Sequence, residues 1–132
     1  MFNQNNNLNG NAIVFGYLID GRILFDVYSG RLLNIQRISI GSGVHSIVIR
    51  ETMSRLLAFL LSCRDRDKIT AYDILFNVWD KYGLQSSNQR LWQAMQVLKS
   101  RLDTMGIPDD FIVKTDMGIY KIRGELVASL YL

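Results

Sequence analysis

Leu91, Met95, Leu98 and Leu102 recur at helical spacing, and the positions they leave on the opposite side include Gln89, Gln93, Gln96, Val97 and Ser100. Arg90, Trp92 and Lys99 fall on the flanks of that face. A glutamine amide can make a bidentate hydrogen-bond pair with adenine N6 and N7, and a valine can meet a thymine methyl. Arg90 and Lys99 can neutralise phosphates, and Ser100 can donate to one. Ser87 and Asn88, at the start of the same segment, can donate to a phosphate at a helix N-terminus or serve only as caps. Three glutamines alone read equally well as a plain polar surface. Two further features favour the nucleic-acid chemistry. From Lys81 to Leu102 the chain carries Lys81, Arg90, Lys99 and Arg101 and not one Asp or Glu. Lys114, Lys121 and Arg123 then cluster around a turn, as cations able to follow a phosphate backbone or enter an A·T-rich minor groove. Each of those three also reads as a solvated strand end.

The elements that must position these residues follow from periodicity. Ser86 with Gln89 three residues on forms a capping box for the segment, and Gly106 and Pro108 end it. Before it, Thr70 with Asp73 three residues later predicts an N-cap for a short helix through Ile74, Leu75, Val78, Trp79 and Tyr82, closed by Gly83. Gly83-Leu84-Gln85 is then a short connection between two helices. An earlier helix is predicted by Met53, Leu56, Leu57, Leu60 and Leu61, which recur as one amphipathic stripe. Residues 13–19, 22–25, 32–36 and 46–50 are rich in branched and aromatic residues. Asp20-Gly21 and Ser29-Gly30 are turn signals among them, and Gly41-Ser42-Gly43 is a flexible joint before the last. They predict an antiparallel sheet of about four strands. After Pro108, residues 111–114 and 119–122 form a β-hairpin around Thr115-Asp116-Met117-Gly118. The order is that of an α+β winged helix-turn-helix: an N-terminal antiparallel sheet, three helices and a C-terminal hairpin wing, with the second helix of the pair placed to enter a major groove.

Composition bounds the rest. The 132 residues are 48% hydrophobic and 20% charged, enough for one domain with a core and too few for two. Residues 1–12 read as a flexible Asn-rich tail, residues 13–123 as the winged-helix domain, and residues 124–132 as an apolar extension that packs on the sheet or mediates self-association. The formal charge of +3 suits an anionic partner without requiring one. Cys63 is the one cysteine and His45 the one histidine, so no disulfide framework and no zinc cluster is expected. A Cys-His nucleophilic pair would need an orienting third group and a cleft, and the bland reading is a small buried thiol and a loop imidazole. No phosphate loop, nucleophile elbow or paired carboxylates point to an enzyme, and no cofactor, metal or small-molecule substrate is implied. The charged run from Cys63 to Lys68 reads as a solvated loop. The longest apolar run, from Leu56 to Leu61, is far short of a membrane span, and a cytoplasmic location is expected.

Residues 87–102, SNQRLWQAMQVLKSRL, resemble the recognition helix of OmpR/PhoB-type winged-helix regulators, closest to the ToxR/CadC-like branch. Arg55-Leu56-Leu57, Val78-Trp79, Ile112-Val113-Lys114-Thr115 and Gly118-Ile119-Tyr120-Lys121-Ile122 resemble the same branch, and the similarity spans residues 13–122. The resemblance implies a transcriptional regulator whose four-stranded N-terminal sheet braces the helices and which binds repeated half-sites on double-stranded DNA side by side, as a homodimer where it pairs. Position by position it implies base-facing roles for Gln93, Gln96 and Val97, a phosphate contact for Lys99 and a minor-groove role for Lys121. The chain departs from the family pattern at Val97, where a basic residue is usual, and at Ile119, with the wing glycine displaced to Gly118. With no receiver domain and no membrane span, the chain is expected to be a stand-alone regulator or a cytoplasmic piece of a membrane-anchored one. An alternative is a winged-helix protein-interaction module that does not bind DNA by itself, for which Trp92 would be the anchor.

Overall fold

The computed structural model describes residues 12–36 and 45–132. The Asn-rich stretch of residues 1–11 and the Gly41-Ser42-Gly43 joint lie outside them. Four short antiparallel strands come first: β1 (Val14–Ile19), β2 (Ile23–Asp26), β3 (Arg31–Asn34) and β4 (Ser46–Val48), within two residues of the expected spans. The β1–β2 hairpin turns on Asp20 and Gly21, both at positive φ, with Arg22 completing a three-residue loop between the paired Ile19 and Ile23. Alternation sends Tyr17, Ile19, Ile23, Phe25 and Leu32 to one buried face.

Helix α1 (Glu51–Ser62) lays Leu56, Leu57, Leu60 and Leu61 into the core with no exposed surface. After the short strand β5 (Ile69–Thr70), helix α2 (Ala71–Val78) starts at Thr70, whose hydroxyl accepts from the Asp73 amide at 3.1 Å as expected. The helix does not run on to Tyr82: its last turn tightens into a 3-10 segment, Asp80–Tyr82, which Gly83 ends at φ +73°. The Leu84 amide donates to the Trp79 carbonyl across that turn, closing the helix end while Trp79 stays buried.

Helix α3 (Asn88–Thr104) buries Leu91, Met95, Leu98 and Leu102, the stripe expected from periodicity. Its cap is Ser87, not Ser86: the Ser87 hydroxyl accepts from the Arg90 amide at 3.1 Å, while the Ser86 hydroxyl donates to Asp80 at 2.7 Å. Ser86 is taken by a carboxylate of the preceding turn, which leaves the neighbouring serine to cap. The wing follows as β6 (Ile112–Lys114) and β7 (Ile119–Ile122), and β7 pairs on its other side with β5 in a three-stranded sheet.

The C-terminal residues form a further strand, β8 (Val127–Tyr131), antiparallel to β1, so the first sheet has five strands in the order β4-β3-β2-β1-β8. Arg64, in the charged run after α1, fastens that junction. Its guanidinium donates to the Leu61 carbonyl and the Ser129 hydroxyl and lies over the Tyr17 ring. Arg66 in the same run pairs with Asp73 at 3.0 Å, so the run is not merely solvated.

Candidate nucleic-acid interface

The outward face of α3 holds the expected residues. Gln89, Gln93, Gln96, Val97 and Ser100 are all exposed, as are Asn88 and Arg90, while Lys99 is half-buried at one edge. Val97 stands at the opposite edge, 44% exposed, beside a hollow that reaches β4 and the start of α1. Over the first three turns no carboxylate shares this face.

The last turn is different. Gln96, Lys99 and Ser100 line a hollow of about 400 Å³ together with Asp103 and Asp109. Asp103 is the first residue beyond the acid-free stretch, and Asp109 is returned beside Lys99 by the bend at Gly106 and Pro108. The field around Lys99 is therefore not wholly positive, as the acid-free stretch had suggested. The Pro108-Asp109-Asp110 sequence after the helix was the signal for this, and only the folding back of the chain gives it meaning.

Ser87 is bound into its cap as an acceptor, which leaves its hydroxyl proton free to donate outward. Asn88 is the first residue of the helix, and with Ser87 it sits where backbone amides lack intrahelical partners.

On the wing the register pairs Lys114 with Tyr120 and Val113 with Lys121. Tyr120 is buried, and the Lys114 ammonium lies 5.7 Å from its ring centroid, held by cation–π attraction at the wing's inner side. Lys121 projects from the outer face with Val113. The turn itself places Gly118 at φ +75° and carries Asp116 and the exposed Met117, so the wing's cations sit on its strands and not at its tip. Arg123 lies at the base of the hairpin, where its guanidinium meets Glu125 at 3.0 Å and Asp110 at 3.4 Å. The Glu125 carboxyl is held below its ordinary range by a hydrogen bond from its own backbone amide and then by Arg123. Arg123 is thus a fastener of the wing's base.

Trp92 is 59% exposed on the Lys99 flank of α3. Cys63 is buried at the end of α1 with the Arg66 guanidinium 3.5 Å from its sulfur. His45 is exposed just before β4. Among the described residues no group of three or more His, Cys, Asp or Glu is placed to hold a metal ion, and no helix is long and apolar enough to cross a membrane.

No protein-family model matches the chain, and no curated protein matches it. Solved structures do. One is the DNA-binding domain of E. coli CadC, which superposes with a TM-score of 0.68 at 15% sequence identity, over 89% of this chain and 100% of that one. The sheet, the three helices and the hairpin therefore form a winged helix-turn-helix, the fold of that domain.

Proposed function

We propose that this chain is a sequence-specific double-stranded DNA-binding transcriptional regulator, with α3 in the major groove and the β6–β7 wing on the backbone or minor groove. The observation that carries the reading is the first three turns of α3: an exposed, carboxylate-free face of amides on the second helix of a helix-turn-helix. The similar fold of the CadC DNA-binding domain supports it. In this reading Gln89, Gln93, Gln96 and Val97 meet base edges, and Ser87, Asn88, Arg90, Lys99, Ser100 and Lys114 meet phosphates. Lys121 reaches from the outer face of the wing, and Arg123 holds the wing's base. The chain acts without a catalytic step, in the cytoplasm, on repeated half-sites.

The test is the affinity of the chain for random duplex DNA across a range of salt, followed by selection and sequencing of the retained pool. A steep fall of log K with log salt and an enriched repeated motif is the expected result, and the repeat spacing reports whether two copies bind side by side. Salt-dependent binding without a motif would reduce the reading to a non-specific binder.

The exposure of Trp92 favours a second reading, in which α3 docks on another protein, because tryptophan is a frequent interface anchor and an uncommon base reader. No retention of duplex at low salt would favour it, and Trp92→Ala is then the first variant to examine.

A further inference from the structure

A helix lying in a major groove about 12 Å wide has a sugar–phosphate backbone on each side. On one side of α3 stand Lys99 and the wing. The edge of α3 on the other side carries Arg90, Val97 and Arg101, with about 16 Å of helix axis between Arg90 and Arg101. Across from Val97 and Arg101, a hollow of about 460 Å³ is closed by Val48, Ile49, Arg50 and Met53. Its floor is apolar, and its rim holds two exposed cations contributed by different elements: Arg50, just before α1, and Arg101, in the last turn of α3.

Neither guanidinium has a carboxylate within 4 Å among the described residues. The remaining residues, 1–11 and 37–44, contain no Asp or Glu that could supply one. Glu51 follows Arg50 directly, but its carboxylate turns to Arg55 at 3.7 Å and borders a different hollow, with Tyr28 and Tyr82. The wing side is less favourable to an anion, since Lys99 there shares its hollow with Asp103 and Asp109. Arg101 also complements the negative end of the α3 dipole, but that account leaves Arg50 unexplained.

We infer that Arg50 and Arg101 form a second backbone clamp, on the side of α3 opposite the wing, which takes phosphates of the strand that the wing does not reach. The inference rests on the DNA-binding reading above. Val97 then packs over the hollow's apolar floor at the groove wall, between the base edges and the clamp.

The experiment is a salt titration of the full chain and its Arg50→Gln/Arg101→Gln variant on the selected duplex and on random duplex. Both side chains are exposed and make no ion pair among the described residues, so the variant is expected to fold, which an unchanged urea midpoint checks. The expected result is weaker binding on both duplexes, an unchanged selected motif, and a plot of log K against log salt shallower by about 1.8, the loss of two phosphate contacts. Arg50→Lys/Arg101→Lys restores the slope, because a phosphate accepts a point charge. An unchanged slope in the glutamine variant, with a lowered slope in Lys99→Gln, overturns the clamp and leaves the DNA-binding reading standing. A slope lost with glutamine, not restored by lysine and accompanied by a lowered urea midpoint in both variants shows that the changes act through the fold and also overturns it. A wild-type chain that retains no duplex at low salt overturns both.

Discussion

Under the proposed DNA-binding reading, Gln93 and Lys121 would make two different kinds of contact, which single substitutions separate. Gln93 projects from the centre of the outward face of α3, so Gln93→Ala is expected to change preference at one position of the selected site while leaving affinity for random duplex nearly unchanged. Equal losses on both duplexes would remove Gln93 from base reading. Lys121→Ala is expected to weaken all sequences alike and to flatten the salt slope by about 0.9. Ser87 tests a cap against a contact. Ser87→Ala removes the oxygen that accepts from the Arg90 amide and is expected to cost about 1 kcal/mol in urea unfolding. Ser87→Asp keeps a capping oxygen and stability but sets a negative charge against the phosphates, so it loses DNA affinity without unfolding; retained affinity would leave Ser87 a cap alone. Tyr17 carries a pH dependence. Burial raises its pKa above the ordinary phenol value, partly offset by the Arg64 guanidinium. Below about pH 10 the phenol is neutral in both folded and unfolded chains; above that the unfolded chain ionises first, and stability falls as pH rises through the folded pKa. Tyr17→Phe should leave the midpoint at pH 7 nearly unchanged and reduce the alkaline loss.

At the scale of elements, two helix ends depend on glycine for different reasons. Gly83 ends the turn before α3 at φ +73° with open space around its Cβ position, so Gly83→Ala is expected to cost about 1 kcal/mol from backbone conformation alone. Gly106 ends α3 at φ +87°, and an added Cβ would stand 3.2 Å from the Arg22 guanidinium, which donates to the Gly106 carbonyl at 2.6 Å. Gly106→Ala should therefore cost more than Gly83→Ala, because it also disturbs the arginine by which the β1–β2 hairpin holds the end of α3. Equal shifts in the urea midpoint would show that Arg22 contributes nothing there. The stripes of α1 and α3 and the Asp20-Gly21 turn were legible because each is set by neighbours within one helical turn or one hairpin. The cap of α3 was not. Ser86 and Gln89 satisfy the capping pattern as well as Ser87 does, and what decides between the serines is Asp80, which is brought to Ser86 by the 3-10 turn before Gly83.

At the scale of the whole molecule, β8 completes the sheet that braces the helices. It covers the edge of β1, and Arg64 ties it to the end of α1. Truncation before Val127 is expected to destabilise the chain by about 3 kcal/mol, from the net worth of a strand's ladder hydrogen bonds. A urea midpoint unchanged by the truncation would make β8 dispensable to the fold. Because the wing pairs with β5 and not with β8, its register should survive in backbone NMR shifts of β6 and β7. By itself the sequence determined the first four strands, the three helices and the wing hairpin to within a few residues, the apolar faces the helices bury, and the amide-rich, acid-free start of α3, since these depend on period and turn chemistry over a few residues. Only the tertiary structure decided that residues 127–131 close the first sheet, that Arg123 is spent at the wing's base, that Asp109 stands beside Lys99, and that Arg50 faces Arg101. Each of those pairings joins residues separated by a turn or by a whole domain's length of chain. Charges and strand edges carry no periodic mark of their partners until packing brings them together.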